Sequence, residues 1–306
     1  MIVFSKLGEK GNLGNQLFQI ASTIGIAKMN NQDYYFPPWC YQPYFKHQLP
    51  CKVINENDYK TIREICFSYS FINLKEEEDY NLIGWFQSEK YFDVKSVGKY
   101  FTFKNSLTKQ IKNKYSYLLE AKHILISVRR GDFVNHPYYF QLSYKYYFLA
   151  IVKNFPDWKS RKLIFTSDDI AYCKRHFSFL DNSYFLEDLN AIEQLAFGSM
   201  SKDIVISNST FSWWLAWLGE KKKSLIIRPE KNFRGDFAGR NDDKDYFPER
   251  WIQFKVPKNL INLKYFRLIA VGESYRIVNY LIYLIKTWKK ILKETLKRLI
   301  KNYYSM

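Results

Sequence analysis

The chain holds only four cysteines, at positions 40, 51, 66 and 173, with no C-x-x-C pair and no dense framework. That spacing excludes a disulfide-stapled or zinc-ribbon fold, and the expectation is reduced, structural thiols in a cytosolic setting. Histidine is equally scarce. His47, His123, His136 and His176 make no H-E-x-x-H or comparable ligand set, so no histidine-bound metal is expected. No apolar run reads as the ~20 residues needed to span a bilayer. No signal peptide is expected either, because an apolar strand and a glycine loop begin at once. Acidic residues are in deficit, 30 against 47 Lys and Arg, and the net charge of +17 points to an anionic partner. Glycines 8, 11 and 14 do not follow the G-x-G-x-x-G spacing, which disfavours a nicotinamide or flavin cofactor.

What is present is a large apolar fraction, 47% hydrophobic and 19% aromatic, which excludes a disordered chain. At 306 residues the chain has room for two modest α/β domains, each with its own core. Strands are expected near 2–4, 123–128, 162–166, 203–206 and 224–227, with helices near 16–29, 143–154, 170–176 and 190–200. Such alternation favours parallel α/β layers. The expected division is residues 1–120, 121–263 and a tail over 264–306. The Tyr/Phe/Pro-rich residues 34–50 read as an irregular, aromatic-lined excursion, mostly used in packing.

Three segments carry candidate anion chemistry. The first is Ser207-Asn208-Ser209-Thr210-Phe211-Ser212-Trp213-Trp214, after the strand Asp203–Ile206 and before a helix-like continuation. A strand that opens through hydroxyl and amide residues into a helix presents free backbone N–H groups, a favoured seat for phosphate. The paired Trp residues lock that turn into the core. The second is Arg129-Arg130-Gly131-Asp132, at the end of the strand His123–Val128. Forked guanidinium groups at the mouth of a parallel sheet suit a diphosphate, with a surface ion pair to Asp132 as the alternative. The third is the glycine loop 8–16, between the first strand and a helix, where glycine permits close backbone approach.

In this order the segments resemble the α-1,2-fucosyltransferases, inverting enzymes that use GDP-fucose. The resemblance rests on Gly11-Asn12-Leu13-Gly14-Asn15-Gln16-Leu17-Phe18-Gln19, Gly84-Trp85-Phe86-Gln87-Ser88-Glu89-Lys90-Tyr91-Phe92, Val128-Arg129-Arg130-Gly131-Asp132, Phe165-Thr166-Ser167-Asp168-Asp169 and Asn208-Ser209-Thr210-Phe211-Ser212-Trp213-Trp214. It covers roughly residues 8–255. One position departs: the family usually carries His two residues before the first arginine, and here that residue is Ser127, which hydrogen-bonds with shorter reach.

The resemblance implies an α/β fold with two Rossmann-like domains facing a cleft in the GT-B manner, and the tail beyond it is expected to add a C-terminal amphipathic helix. It also implies galactoside α-1,2-fucosyl transfer without a metal or other cofactor, GDP-fucose being a substrate. Related enzymes that make α-1,6 links share the arginine logic. Arg129 is the expected stabiliser of the departing diphosphate. Donor contacts are expected from Asn12, Asn15, Gln16, Ser127, Arg130, Asp168, Asn208, Ser209, Thr210 and Ser212, with Arg130 alternatively bracing its loop through Asp132. Glu193 is a candidate for guanine, or simply solvated. His136 and Asp132 are the candidates for general base. Asp243-Lys244-Asp245 has the spacing of a metal-binding D-x-D, yet its Gly/Asn/Asp/Lys-rich surroundings read as a solvated turn.

In the tail, Leu281, Leu284, Ile285, Trp288, Leu292, Leu296 and Leu299 recur at helical spacing, with Lys286, Lys289, Lys290, Lys293, Lys297 and Lys301 mostly on another face. Such a helix suits the inner face of an anionic membrane bearing a lipid-linked, galactoside-terminated acceptor, which makes a cytoplasmic, peripheral enzyme the expectation. Packing against its own domain is the alternative. The charge also permits nucleic-acid binding, but no helix-turn-helix, zinc-finger or RNA-recognition signature accompanies it, and no nucleic-acid partner is expected.

Overall fold

The structure, a computed structural model, describes the backbone of residues 1–258 and 261–303, with side chains as far as residue 297. Two parallel sheets account for the strands. The first is built from β1 (Ile2–Val3), β2 (Tyr34–Tyr35), β3 (Lys60–Arg63) and β4 (Tyr80–Ile83), in the order β2-β1-β4-β3. The second holds β5 (His123–Val128), β6 (Lys162–Ser167), β7 (Ser183–Phe185), β8 (Ile204–Ile206), β9 (Ile226–Pro229) and β10 (Ile252–Phe254), in the order β10-β9-β8-β5-β6-β7. Around them lie α1 (Leu13–Met29), α2 (Val94–Gly98), α3 (Asn105–Leu119), α4 (Tyr144–Asn154), α5 (Ile170–Phe177), α6 (Ala191–Gly198), α7 (Thr210–Gly219), α8 (Gly235–Arg240) and α9 (Phe266–Tyr303).

The central strands are legible because a parallel sheet covered on both faces needs continuous apolar runs. In β5 every residue from Ile124 to Val128 is buried, and all three residues of β8 are. The edge strands are not legible: β3 is Lys-Thr-Ile-Arg and largely exposed, and neither β2, β3, β7 and β10 nor the interior strand β4 is expected from the sequence.

The expectation of a separate core for each half is corrected. Helices α1 and α7 are buried on nearly every side, as helices enclosed between layers must be. One apolar cluster runs from Ile2, Phe18 and Ile24 of the first half into Trp213, Trp214 and Trp251 of the second. Phe18 meets the Trp213 ring at 4.5 Å and the Trp214 ring at 5.1 Å. A second cluster lies on the opposite face of the six-stranded sheet, under α4, α5 and the first turns of α9. In the aromatic excursion, Trp39 and Phe45 stack at 5.4 Å inside the core.

The expectation that no apolar run is long enough for a bilayer is also corrected. Between Leu263 and Lys297 an 18-residue stretch reaches a mean hydropathy of 1.3 with at most two charged residues, so by length and composition the helix is able to cross a membrane. Only 11% of that stretch is buried in the protein. The side chains of residues 299 and 301 of the expected pattern, and all of residues 304–306, lie outside what is described.

Candidate active site

In the six-stranded sheet the chain goes from β5 to β6 on one side and from β8 to β9 on the other, so the strand order reverses between β5 and β8. Ligands of open α/β sheets bind outside the carboxyl ends of the strands at such a point. The loop after β5 carries Arg129 to Asp132, and the loop after β8 carries Ser207 to Ser209 into α7. The first sheet has its own reversal between β1 and β4, followed by the glycine loop into α1 and by Gly84 to Gln87. All four loops line one cleft of about 610 Å³.

Two helix starts meet there. A Cβ on Gly14, in the first turn of α1, would lie 2.5 Å from the Phe211 amide nitrogen and 2.6 Å from the Thr210 carbonyl carbon. Only glycine permits that approach. Asn12 precedes α1 without capping it through its side chain, whereas Ser209 caps α7 by accepting from the Ser212 amide at 3.2 Å. Abutting helix N-termini concentrate partial positive charge and unpaired N–H groups.

Arg129 adds a full charge. It donates to Asp132 Oδ1 at 2.6 Å, lies 3.2 Å from Asp168 Oδ2, and its guanidinium sits 5.5 Å from the centre of the Phe133 ring. Its Nε is buried with no hydrogen-bond partner. Asp168 also accepts from the Arg130 amide at 2.9 Å, so it sets the turn that aims Arg129.

Among the residues singled out from sequence, Asn12, Asn15, Gln16, Arg129, Asp132, Asn208, Ser209 and Thr210 line the cleft. Several of them already have partners. Gln16 accepts from Trp39 Nε1 at 2.9 Å, Asn15 accepts from Gln87 Nε2 at 2.9 Å, and Asn208 donates to the carbonyls of Phe140 and Asn232. These contacts brace the loops that shape the cleft.

The others are placed elsewhere, and each is a correction. Ser127 and Ser212 are buried, sharing a hydrogen bond of 2.7 Å, and Ser207 joins Ser212 at 2.8 Å. The short side chain at the position of the usual His turns inward and fastens β5 to the start of α7. Arg130 points away, its guanidinium 4.1 Å from the centre of the Tyr172 ring and 5.7 Å from that of Tyr275. Asp132 pairs with Arg129, not with Arg130. Asp168 stands behind Arg129 as a positioning group. Glu193 is neither a cleft residue nor idle: it accepts from the Asn190 amide at 2.9 Å while Asn190 accepts from its own, a reciprocal cap on α6. His136 packs its ring on Tyr138 and Tyr139, and its Nδ1 accepts from the Tyr138 amide at 3.2 Å.

Sequence reasoning missed Glu64, Tyr138, Tyr139 and Phe233 as cleft residues. Phe133 and Tyr139 stack at 4.0 Å, forming an aromatic rim beside Arg129. Trp85 stood in a quoted segment without a role, and lines the cleft 39% exposed. Among the described residues no three His, Cys, Asp or Glu side chains converge as metal ligands. The D-x-D loop is not the solvated turn expected. Asp243 accepts from the Asn232 amide at 2.6 Å, and Asp245 joins Lys90 at 2.6 Å and the Tyr69 amide at 3.0 Å, tying the two halves together.

Known proteins bear on this arrangement. An Escherichia coli alpha-1,2-colitosyltransferase is 25% identical over 293 residues, covering 83% of this chain and 99% of that protein. A Caenorhabditis elegans galactoside 2-alpha-L-fucosyltransferase is 24% identical over 283 residues, covering 82% of this chain and 79% of that protein. Among solved structures, NodZ alpha-1,6-fucosyltransferase overlays with a TM-score of 0.48 at 11% identity, covering 71% of this chain and 91% of that one. The family model that describes glycosyl transferase family 11 matches residues 5–255, nearly all of both sheets and every loop of the cleft, and the chain belongs to that family.

Proposed function

We propose that the protein transfers L-fucose from GDP-β-L-fucose to the 2-hydroxyl of a terminal galactoside, with inversion, in the synthesis of a surface glycan. The observation that carries this reading is the convergence of Arg129 and the starts of α1 and α7 on one cleft, in a chain of family 11. The facing sheets support a GT-B-like arrangement, residues 1–120 serving the acceptor and residues 121–263 the donor nucleotide.

In the transfer, the acceptor oxygen attacks the anomeric carbon as the bond to the β-phosphate breaks, and the electron pair leaves with GDP. Charge grows on the diphosphate and an oxocarbenium-like sugar develops. Arg129 and the helix-start amides are fixed before the reaction, and preorganised donors act most strongly on charge that develops in the transition state. Arginine and helix dipoles supply the neutralisation that a divalent cation supplies elsewhere, so the reading includes no metal.

A second donor is favoured by one observation, the colitosyltransferase relative that this chain covers almost end to end. Colitose lacks the 3-hydroxyl of fucose and presents the same anomeric centre. Incubation with each GDP-sugar and a panel of β-galactosides, followed by linkage analysis, tests the reading. Fucose α-1,2-linked to galactose is expected. Colitose transfer alone reassigns the donor, and an α-1,6 product reassigns the linkage.

The tail belongs to the same proposal. Leu268 is buried, Gly272 lies against the Tyr144 ring, and Glu273 takes Tyr144 at 3.0 Å and Lys145 at 2.8 Å. The first turns of α9 are therefore held by the protein and are not free to enter a bilayer. Beyond them Val278, Leu281, Ile285, Trp288, Leu292 and Leu296 are each more than half exposed, with lysines along the same helix. That favours a helix lying on the anionic inner face of the cell membrane, beside lipid-linked acceptors.

A further inference from the structure

The transfer leaves one group unassigned, the one that takes the acceptor's proton. Only two carboxylates line the cleft among the described residues, Asp132 and Glu64. Asp132 is tied to the Arg129 guanidinium at 2.6 Å, so its carboxylate is already engaged on the facing wall. Glu64 follows β3 on the opposite wall and forms no ion pair among the described residues. Its Oε2 accepts from the Trp85 amide at 2.7 Å and its Oε1 from the Phe86 amide at 2.9 Å, which leaves each oxygen a further lone pair.

The surroundings are built for that carboxylate. A Cβ on Gly84 would lie 2.5 Å from Glu64 Cβ and 2.9 Å from its Oε2, so glycine leaves the room it occupies. Phe86 holds φ of +48°, a conformation that costs a bulky residue energy and that turns two successive amides onto one acceptor. The turn is also held from behind, because the Phe86 ring is buried and its carbonyl accepts from Ser22 Oγ at 2.8 Å. Glu64 is thus not its sole support. Trp85, the next residue along the wall, keeps an open face toward the cleft, a surface on which a sugar ring stacks.

We propose that Glu64 is the general base of the reaction and that Trp85 is the platform for the acceptor sugar, a proposal that rests on the glycosyl transfer read above. The acceptor O–H bond breaks, its proton goes to Glu64, and its oxygen bonds to the anomeric carbon. The C–O bond to the β-phosphate breaks in the same step, its electron pair leaves with GDP, and the proton later passes to water. Burial pushes the Glu64 carboxyl up from its ordinary value, against the pull of the two amides, which makes it a better base than a surface carboxylate. The titratable groups around it are Cys66 on the same wall and the Tyr91 phenol, whose ionisation its charge opposes, with Arg129 and Asp132 on the facing wall. Glu64 works ionised, so activity should rise with pH through a limb above the ~4.3 of an ordinary glutamate.

The test compares wild type, Glu64→Gln, Glu64→Asp and Trp85→Ala in GDP calorimetry, thermal melting and transfer kinetics across pH. Glu64→Gln should keep GDP affinity within about twofold and lower kcat by about 10² to 10⁴, the range for losing a general base, with the acid limb gone. Glu64→Asp should recover part of the rate and the limb. Trp85→Ala should raise the galactoside KM about tenfold with GDP affinity unchanged. Turnover of Glu64→Gln within threefold of wild type, or an unaltered acid limb, overturns the proposal. So does parallel loss of GDP binding or of the fold in both Glu64 variants, which would make Glu64 a clasp for the Trp85 turn. A wild-type protein that binds no GDP or transfers no sugar defeats the underlying reading instead, and this proposal falls with it.

Discussion

The two walls of the cleft are chemically unlike. The wall from the six-stranded sheet offers positive charge and fixed donors, namely Arg129, the α7 start and its serines, and the Asp168 that aims the arginine. The wall from the four-stranded sheet offers an exposed indole, an amide pair and a carboxylate that, among the described residues, forms no ion pair, namely Trp85, Asn15 with Gln87, and Glu64. One suits a diphosphate and the other suits a neutral sugar whose hydroxyl must lose a proton. The walls meet where Gly14 abuts Thr210 and Phe211, which brings the α1 start up against the α7 start.

That comparison breaks most visibly at Arg129. Arg129→Ala should lower turnover by at least ~10²-fold while the protein stays folded, and Arg129→Lys should also be poor because a point charge does not reproduce the fork. Steady-state kinetics with GDP-fucose checks both. Its neighbour sharpens the contrast. Arg130→Ala should leave GDP affinity and turnover within about threefold and lower unfolding free energy by about 1–2 kcal/mol, since it removes a partly desolvated guanidinium from the Tyr172 and Tyr275 rings. Equal loss of activity in the two variants would erase the distinction.

Deleting residues 278–306 should weaken binding to anionic phosphatidylglycerol vesicles and keep most activity on a soluble galactoside. Raised salt should weaken the intact chain's binding, because exposed charges are screened within about 8 Å at physiological ionic strength. Cosedimentation reads both effects, and vesicle binding unchanged by the deletion removes the membrane role from α9. The smallest expected effect is none: activity should persist in excess EDTA, with an initial-rate assay as the check. Loss on chelation with recovery on added Mn²⁺ or Mg²⁺ would show that charge on the anion wall is incomplete without a cation.

The sequence makes the wall with Arg129 far more legible than the other. β5 and β8 announce themselves as apolar runs, and the arginine and serine loops follow them directly in the chain. Opposite fates for Arg129 and Arg130 are not legible as motif residues. They follow from the alternation of side chains at a strand end, which sends neighbours to opposite faces. Glu64 was invisible because β3 is short and mostly polar, and because the amides that hold its carboxylate lie 21 and 22 residues away. Asp243 and Asp245 were misread for the same reason: Asp243 binds amides 11 and 10 residues distant, while the partners of Asp245, Tyr69 and Lys90, lie in the other half of the chain. Glu193 shows the converse error, since an Asn three residues before it is the sequence mark of a reciprocal helix cap.

A crystal structure with GDP bound tests the central claim most directly. The account predicts a diphosphate within hydrogen-bond reach of the Arg129 guanidinium and of main-chain amides at the starts of α1 and α7, with Glu64 and Trp85 left open to an acceptor. A diphosphate seated instead beside Arg130, against Tyr172 and Tyr275, would contradict it.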